Sequence, residues 1–406
     1  MFDLYIDQNS ALCTLMVIDV NFDVVSVQGG SCMLTPELSY SNNQNLNIKI
    51  DTDYSSEMLM NLQNIRAYAA HADNQHLVPH AISRRELGAN DVLIKIDYCG
   101  VCHTDIHFVK NHFGNTVYPI VPGHEIIGHV IAMGQQVTGF SVDETVGVGV
   151  IVDSCHQCSS CLQGHEQFCE QGMTTAYNSP DAHTGGVTYG GYSSHIVVDA
   201  KSVLKVSDKL DTHAAAPLLC AGITSFAPLN RYQVKKGDKV GIIGLGGLGH
   251  MGVKFAAAMG AHVVMITSSE KKGADAIRLG AHEVLLSTDQ AAMQQQANSF
   301  DLLLNTIPVE HDFSCYLELL KINQTMVVVG LAAMKMHAAK LIFGQKRVAG
   351  SLIGGIEETQ QMLDFCAEHN ITADVELINI KDVNEAYQRI EQGDVMYRVV
   401  IDMATL

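Results

Sequence analysis

The sequence is short of basic residues, with 25 Lys and Arg against 43 Asp and Glu and a formal net charge of −18. Proteins that bind nucleic acid or anionic membranes attract phosphate groups with positive charge. The charge balance therefore argues against nucleic acid and against an anionic membrane as partners. With 406 residues, 47% of them hydrophobic, the chain is instead typical of a globular protein of two domains.

Long apolar runs are also missing, and none of them is long enough to span a bilayer. The first apolar patch follows Asp3 and Asp7 without a basic residue, which is unlike a secretory signal. The eleven cysteines are an odd number and several stand in C-x-x-C clusters. Such spacing favours metal ligation in a reducing compartment over a disulfide scaffold, so we expect a cytoplasmic protein.

Residues 1–59 differ from the rest of the chain, because they are acidic and carry no recognisable motif. Their short apolar runs, 12–20 and 24–27, predict one or two strands. We interpret this segment as an N-terminal extension that is poorly ordered or loosely attached. The alternative is a gene-model artefact, with the natural start at Met58 or Met60.

A glycine-rich turn lies near the middle of the chain and contains the pattern G-x-G-x-x-G. It follows an apolar strand at 238–243 and precedes a helical pattern at 248–259 and a second strand at 262–267. This βαβ unit predicts a dinucleotide site, since only glycine lets a pyrophosphate approach the backbone N–H groups of the helix N-terminus. The candidate residues of the turn are Gly244, Gly246, Gly247, Leu248 and Gly249.

The end of the second strand indicates which nucleotide binds. NAD-binding proteins usually place an Asp or Glu there, about 20 residues after the glycines. Here the strand runs into Thr267, Ser268 and Ser269, with Lys272 close behind. Hydroxyls and an ammonium group suit a 2′-phosphate, so the sequence favours NADP(H). The alternative is a polar loop whose lysines face water.

The remaining pattern predicts an α/β protein in which a β-rich first half precedes a doubly wound sheet. Strands are expected at 65–69 and 91–97 in the first half. In the tail, a helix is expected at 357–369 and a strand at 397–402 that returns to the first domain. The strands expected in the doubly wound sheet are 239–243, 263–267, 283–286, 301–304, 325–329 and 347–350.

Four cysteines, Cys155, Cys158, Cys161 and Cys169, form the strongest local signal. Four thiolates at this spacing can close a tetrahedral Zn²⁺ site within one loop. All four positions are then occupied by protein, so the site is expected to be structural. An iron–sulfur cluster is the chemical alternative.

A second metal site is indicated by residues that lie far apart in the sequence. A catalytic zinc ion needs three protein ligands and one open position. Cys99 or Cys102, together with His124 and Cys220, supplies such a set, and the spacing does not choose between the first two.

Several neighbouring residues compete with that ligand set or could support it. His103 and His107 are further imidazoles in the same segment. Glu125 is a partner or an alternative ligand, and Asp105 could accept a hydrogen bond from His124.

These motifs in order resemble the zinc-dependent medium-chain alcohol dehydrogenases. The resemblance is greatest to the cinnamyl-alcohol-dehydrogenase-like branch, which includes bacterial broad-range NADPH aldehyde reductases. It implies a GroES-like β-barrel catalytic domain (60–219 and 356–406) with a Rossmann nucleotide-binding domain (220–355), and homodimers that pair near 348–353. The motifs are C-G-V-C-H-T-D-I-H (99–107), P-G-H-E (122–125), V-D-S-C-x2-C-x2-C-x7-C (152–169), G-G-Y-S (190–193), P-L-L-C-A-G-I-T (217–224) and G-L-G-G-L-G-H (244–250).

The resemblance also implies roles for individual residues. Cys102, rather than Cys99, holds the catalytic zinc with His124 and Cys220, and the four-cysteine group holds a structural zinc. Thr104 contacts the substrate oxygen, and His107 lies at the end of the proton path. The positions that match the 2′-phosphate contacts are Thr267, Ser268, Ser269 and Lys272.

The expected activity is reversible hydride transfer between NADPH and small aromatic or aliphatic aldehydes. The family's lignin-forming members line their pocket with large aromatic residues, whereas this chain has no Trp. That absence argues against a dedicated role in lignin synthesis. Two alternatives are an NADP-binding zinc protein with a sensor or regulatory role, and a zinc-free quinone reductase of the same superfamily.

Overall fold

The computed structural model describes residues 13–19, 22–29 and 62–406, which fall into two units. In the first unit, strand β1 (Cys13–Asp19) pairs antiparallel with β2 (Phe22–Gly29), and Val17 lies opposite Val25. This hairpin agrees with the strands predicted from the apolar runs. The rest of the extension, and with it the question of whether it is ordered or natural, lies outside the described residues.

The second unit begins with short strands and a few single-turn or two-turn helices. Short 3-10 helices follow at Glu166–Phe168, Ala200–Ser202 and Ala216–Leu219. The strands and α-helices of this part are β3 (Ile65–Ala69), β4 (Val78–Ile82), β5 (Asp91–Val101), α1 (His103–Val109), β6 (Ile126–Met133), β7 (Thr145–Val148), β8 (Ile151–Asp153), α2 (Ser159–Leu162), β9 (Thr174–Thr175), β10 (His195–Asp199), β11 (Val203–Lys205) and α3 (Thr212–Ala215).

Strands and helices then alternate as far as residue 350. These elements are α4 (Ala221–Arg231), β12 (Lys239–Ile243), α5 (Gly249–Ala258), β13 (His262–Thr267), α6 (Lys271–Arg278), β14 (Glu283–Leu286), α7 (Gln290–Gln295), β15 (Phe300–Asn305), β16 (His311–Asp312), α8 (Ser314–Leu319), β17 (Leu320–Val328), β18 (Met334–Lys335), α9 (Ala339–Ile342) and β19 (Arg347–Gly350).

The C-terminal tail completes the chain, with 3-10 helices at Ile380–Asp382 and Met403–Thr405. Its main elements are α10 (Ile356–His369), β20 (Val375–Asn379), α11 (Val383–Gln392) and β21 (Arg398–Asp402). Among the described residues, none of the helices combines the length and the apolar character that crossing a membrane requires.

A seven-stranded sheet contains strands from both ends of the second unit, in the order β11-β7-β6-β5-β21-β20, with β10 also paired to β5. The predicted return of the last strand is therefore observed, since β21 runs antiparallel to β5 with Val399 opposite Val101. Strand β5 extends past the predicted end at 97, because both β6 and β21 supply it with hydrogen-bonding partners.

A six-stranded parallel sheet has the order β14-β13-β12-β15-β17-β19. Its central strands are buried on both faces, as in Val240, Ile242 and Ile243 of β12, because helices cover both sides. The strand order reverses between β12 and β15, and in such sheets ligands bind beside the carboxyl ends of the strands at this point. The predicted doubly wound sheet is confirmed, although β17 begins five residues before the predicted start at 325.

Candidate active site

One ligand atom from each of Cys102, His124, Glu125 and Cys220 lies within 4.8 Å of the others. The two thiol sulfurs are 3.9 Å apart. Each residue stands at the end of an element: Cys102 precedes α1, the His–Glu pair precedes β6, and Cys220 precedes α4. We call these four residues the metal cluster.

The geometry of the metal cluster distinguishes Cys102 from Cys99. Cys99 lies on β5 with its side chain fully buried in the hydrophobic core, and it is not part of the cluster. His103 and His107, the other imidazoles of this segment, also lie outside it. Two sulfurs and one imidazole form a donor set that fits Zn²⁺, which favours cysteine and histidine ligands.

Asp105 supports the metal cluster through contacts to Cys102, Gly123 and His124. Its buried carboxylate accepts the backbone N–H of Cys102 at 2.8 Å and that of Gly123 at 3.1 Å. Oδ1 also lies 3.2 Å from Nδ1 of His124. Because Nδ1 faces this carboxylate, Nε2 is the nitrogen that remains available as a metal ligand.

Glu125 forms a buried ion pair with Arg398 of β21, although the two residues are 273 positions apart. Glu125 is 0% and Arg398 8% exposed. Burial raises the pKa of Glu125 to about 7, and the opposing charge of Arg398 limits the rise. The second oxygen, Oε2, has no hydrogen-bond partner among the described residues.

Arg398 also approaches the glycine-rich turn, since its Nη1 lies 3.0 Å from the position that a Cβ of Gly247 would occupy. The sequence analysis did not identify this residue. The available signal was a single cation directly before the apolar run 399–401, because a charge is rarely buried without a partner. Arg398 thus links the metal cluster to the turn.

The two thiols of the cluster differ in acidity. A hydrogen bond from Cys220 holds the pKa of Cys102 well below its usual range, and the same bond raises the pKa of Cys220. The opposite shifts favour loss of the proton from Cys102 before loss of the proton from Cys220. A divalent cation can displace that proton, as it does when cysteine-rich sites bind zinc.

The second group of predicted ligands, Cys155, Cys158, Cys161 and Cys169, also comes together within 4.8 Å. Backbone N–H groups point at the sulfurs, with Glu170 N 3.5 Å from Cys158 Sγ and Cys158 N 3.4 Å from Cys155 Sγ. The N–H of Glu170 contributes most to lowering the pKa of Cys158, to about 6. All four are free thiols, so this lobe fits a tetrahedral thiolate site with no open position.

The glycine-rich turn connects β12 to α5. Gly244 has φ +91°, and a Cβ on Gly249 would lie 1.9 Å from the carbonyl oxygen of Gly244. Beside Gly246 the space is open, with no atom within 4 Å of a built Cβ. The turn therefore excludes side chains and leaves the N-terminus of α5 accessible, as a pyrophosphate requires.

The predicted 2′-phosphate residues lie at the end of β13 and the start of α6. Thr267 is buried, and its Oγ1 accepts the N–H of Ser269 at 3.2 Å. Ser268 is exposed. The ammonium group of Lys272 donates to the carbonyl oxygen of Leu245 at 3.1 Å. Hydroxyls and an ammonium group therefore lie beside the glycine-rich turn.

Thr104 and His107 lie on α1, directly after Cys102. Their spacing of three residues places them on one face of the helix, and both are partly exposed. His107 Nδ1 is 2.9 Å from His112 Nδ1. Burial lowers the pKa of His107, and the neighbouring His103 and His112 lower it further, so its imidazole is neutral at physiological pH.

Comparison with known proteins agrees with this geometry. Residues 88–208 match the alcohol dehydrogenase GroES-like domain, and residues 247–368 match the zinc-binding dehydrogenase domain. Aldehyde reductase YahK of Escherichia coli is 50% identical over 346 residues, which cover 84% of this chain and 99% of that protein. The chain belongs to the zinc-binding alcohol dehydrogenase family. The predicted family and the predicted enzyme class are both confirmed.

Solved structures show the same relationship. A cinnamyl alcohol dehydrogenase from Sorghum bicolor has a TM-score of 0.81 and 44% identity, covering 84% of this chain and 98% of that one. The Helicobacter pylori enzyme named CAD, complexed with NADP(H), has a TM-score of 0.79 and 40% identity, covering 84% and 99%. The predicted α/β class, a GroES-like part with a Rossmann part, is therefore confirmed for this dehydrogenase.

Proposed function

We propose that this dehydrogenase reduces small aldehydes to alcohols with NADPH, in a reversible reaction. The observation that carries the proposal is the position of Arg398, which is paired with Glu125 of the metal cluster and lies beside Gly247 of the glycine-rich turn. The turn that would hold a dinucleotide therefore lies near the metal cluster. Two relatives support this assignment, since the Escherichia coli protein is an aldehyde reductase and the Helicobacter pylori enzyme was solved in complex with NADP(H).

In this proposal, Cys102, His124 and Cys220 are the ligands of a catalytic zinc ion, with Glu125 held beside them by Arg398. A zinc ion bound there supplies Lewis-acid polarisation of the substrate's carbonyl group. Asp105 orients the imidazole of His124, as hydrogen-bonded carboxylates do at many zinc sites. The four-cysteine lobe holds a second, structural zinc ion.

Proton supply is assigned to the exposed face of α1. The hydroxyl of Thr104 donates a proton to the substrate oxygen, because a hydroxyl is both donor and acceptor. His107, which is neutral and partly exposed, returns a proton from solvent. A Thr104→Val variant with unchanged kcat would contradict this path.

The cofactor assignment predicts that NADPH supports at least a tenfold higher kcat/KM than NADH. A charge-assisted hydrogen bond from Ser268 or Lys272 to the 2′-phosphate is worth about 1.5–3 kcal/mol, and about 1.4 kcal/mol corresponds to a factor of ten. Initial rates with both nucleotides, on benzaldehyde and on butanal, measure the ratio. Equal or better rates with NADH contradict the assignment.

Metal content and turnover, measured on one protein preparation, distinguish the alternative functions. A metal content near two zinc ions per chain, together with turnover, supports the reductase. Zinc without turnover on any aldehyde favours a sensor. Turnover of a quinone in zinc-free protein favours a quinone reductase.

The dehydrogenase is also proposed to form a homodimer through β19, the edge strand of the parallel sheet. Large apolar side chains near this edge are exposed, Phe343 by 89%, Ile342 by 68% and Leu352 by 45%. An unpaired strand with apolar neighbours is a template for pairing with a second copy. Light scattering is expected to give twice the chain mass of 44.0 kDa, and Leu352→Arg is expected to shift it towards the monomer.

Two further assignments accompany the function. Residues 60–219 and 356–406 are proposed to form the catalytic domain around the seven-stranded sheet, with 220–355 as the nucleotide-binding domain. Limited proteolysis between these segments tests the boundaries. The free thiols of the described cysteines fit a reducing, cytoplasmic compartment, which cell fractionation tests.

A further inference from the structure

Two helices follow the two segments assigned to the cofactor: α5 follows the glycine-rich turn, and α6 follows the loop at 267–270. The chain just before β21, which otherwise belongs to the seven-stranded sheet, contacts both helices. Tyr397 makes these contacts, and it is largely buried. Tyr397 is not one of the proposed zinc ligands or nucleotide-binding residues, and it directly precedes Arg398.

The ring of Tyr397 stacks on the imidazole of His250, with centroids 5.0 Å apart and planes within 12°. His250 lies in the first turn of α5 and is fully buried. Its Nδ1 lies 3.3 Å from the carbonyl oxygen of Gly246. Because a carbonyl oxygen only accepts, Nδ1 carries the proton and donates. The aromatic stack is thereby connected to the glycine-rich turn.

The hydroxyl of Tyr397 donates to the carboxylate of Asp275, which lies on α6. The same helix carries Lys272, whose ammonium group donates to Leu245 O in the turn at 3.1 Å. The contacts therefore close a ring from the turn through His250, Tyr397 and α6 back to the turn. Within this ring, Tyr397 alone comes from the C-terminal tail, since the other residues lie between positions 245 and 275.

Asp374 reinforces the same arrangement. Its side chain accepts from Lys254 of α5 at 2.5 Å and from Arg278 of α6 at 2.6 Å. Its carbonyl oxygen accepts the N–H groups of Tyr397 and Arg398, each at 3.1 Å. These bonds fix the backbone at Tyr397. Its side chain can therefore hold α5 and α6 at a constant spacing.

We propose that Tyr397 is a positioning residue that sets the spacing between the pyrophosphate-binding turn and the 2′-phosphate loop, and so favours NADPH over NADH. The inference rests on the proposed use of NADPH. NADPH must satisfy both segments at once, whereas NADH has no phosphate for the second. A change in their spacing therefore weakens NADPH binding more than NADH binding.

The test is Tyr397→Phe, which keeps the stack on His250 and removes the bond to Asp275. Kd values for NADPH, NADH and adenosine 2′,5′-bisphosphate are measured by calorimetry on zinc-loaded protein. We expect Kd to rise roughly five- to tenfold for the two nucleotides with a 2′-phosphate, because a displaced loop forfeits part of a charge-assisted bond to that phosphate. NADH should change less than about twofold. Tyr232→Phe, at an exposed tyrosine, is the matched control.

Asp275→Ala provides an independent second variant, in case Tyr397→Phe folds poorly. It also removes the bond that Arg278 donates to Asp275 at 2.7 Å. It should reproduce the selective loss, and adding Tyr397→Phe to it should change Kd little further, since the bond between Tyr397 and Asp275 is already gone. The inference is wrong if the variants weaken NADPH and NADH binding equally, or weaken neither, although the wild type prefers NADPH. A wild type without that preference overturns the cofactor assignment, and the inference with it.

Discussion

Replacement of Cys102 by alanine is expected to lower kcat at least about a thousandfold, while the Kd of NADPH changes less than about twofold. The variant removes one of three proposed ligands and leaves His124 and Cys220. Loss of the Lewis acid forfeits several kcal/mol of transition-state stabilisation, and each 1.36 kcal/mol is a factor of ten in rate. Stopped-flow turnover, metal analysis and nucleotide titration on the same preparation measure the effect.

Cys99→Ala is the matched control, three residues earlier in the chain, near the end of β5. Its thiol packs in the core, outside the metal cluster. Removing it should cost some stability through a small cavity, with kcat within about threefold and zinc retained. The assignment is wrong if Cys102→Ala keeps a tenth of the wild-type rate, or if Cys99→Ala loses the catalytic zinc.

Replacement of Cys158 by alanine is expected to lower Tm by about 10 °C or more, because structural zinc sites contribute folding energy directly. The sulfur of Cys158 accepts the N–H of Glu170, so its loss also loosens the lobe. Calorimetric Tm and metal content measure the result. One zinc ion per chain should remain, and turnover at low temperature should persist in folded protein.

Cys315→Ser serves as the control for this variant, since Cys315 is exposed and lies outside both cysteine groups. Its Tm should stay within about 1 °C of the wild type, as for most surface substitutions. Loss of activity at an unchanged Tm in Cys158→Ala would contradict a structural role. If metal analysis finds iron and the protein absorbs visible light, the four cysteines hold an iron–sulfur cluster and not zinc.

Features built from neighbouring residues could be predicted from the sequence. The four-cysteine lobe spans only residues 155–169, so its spacing nearly determines the tetrahedral set. The glycine-rich turn is also local, because the clash between Gly249 and Gly244 O arises within one βαβ unit. The predicted limits of β12, β14 and β19 agree with the structure, since buried apolar runs between turns mark such strands well.

The catalytic cluster required the fold, since Cys102 and Cys220 are 118 positions apart and yet lie in contact. The spacing left Cys99 and Cys102 as alternatives, the resemblance favoured Cys102, and only the geometry placed one sulfur in the core and the other in the cluster. The extension of β5 to Val101 likewise depends on pairing with β21.

The sequence by itself determined the family, the four-cysteine lobe and the two segments assigned to the cofactor, because each of these rests on motifs of neighbouring residues. The tertiary structure alone decided how these parts are joined. Arg398 and Tyr397 meet Glu125 and Asp275 across 273 and 122 positions. Such contacts form only when the C-terminal strand closes the seven-stranded sheet, and no local pattern of residues specifies that closure.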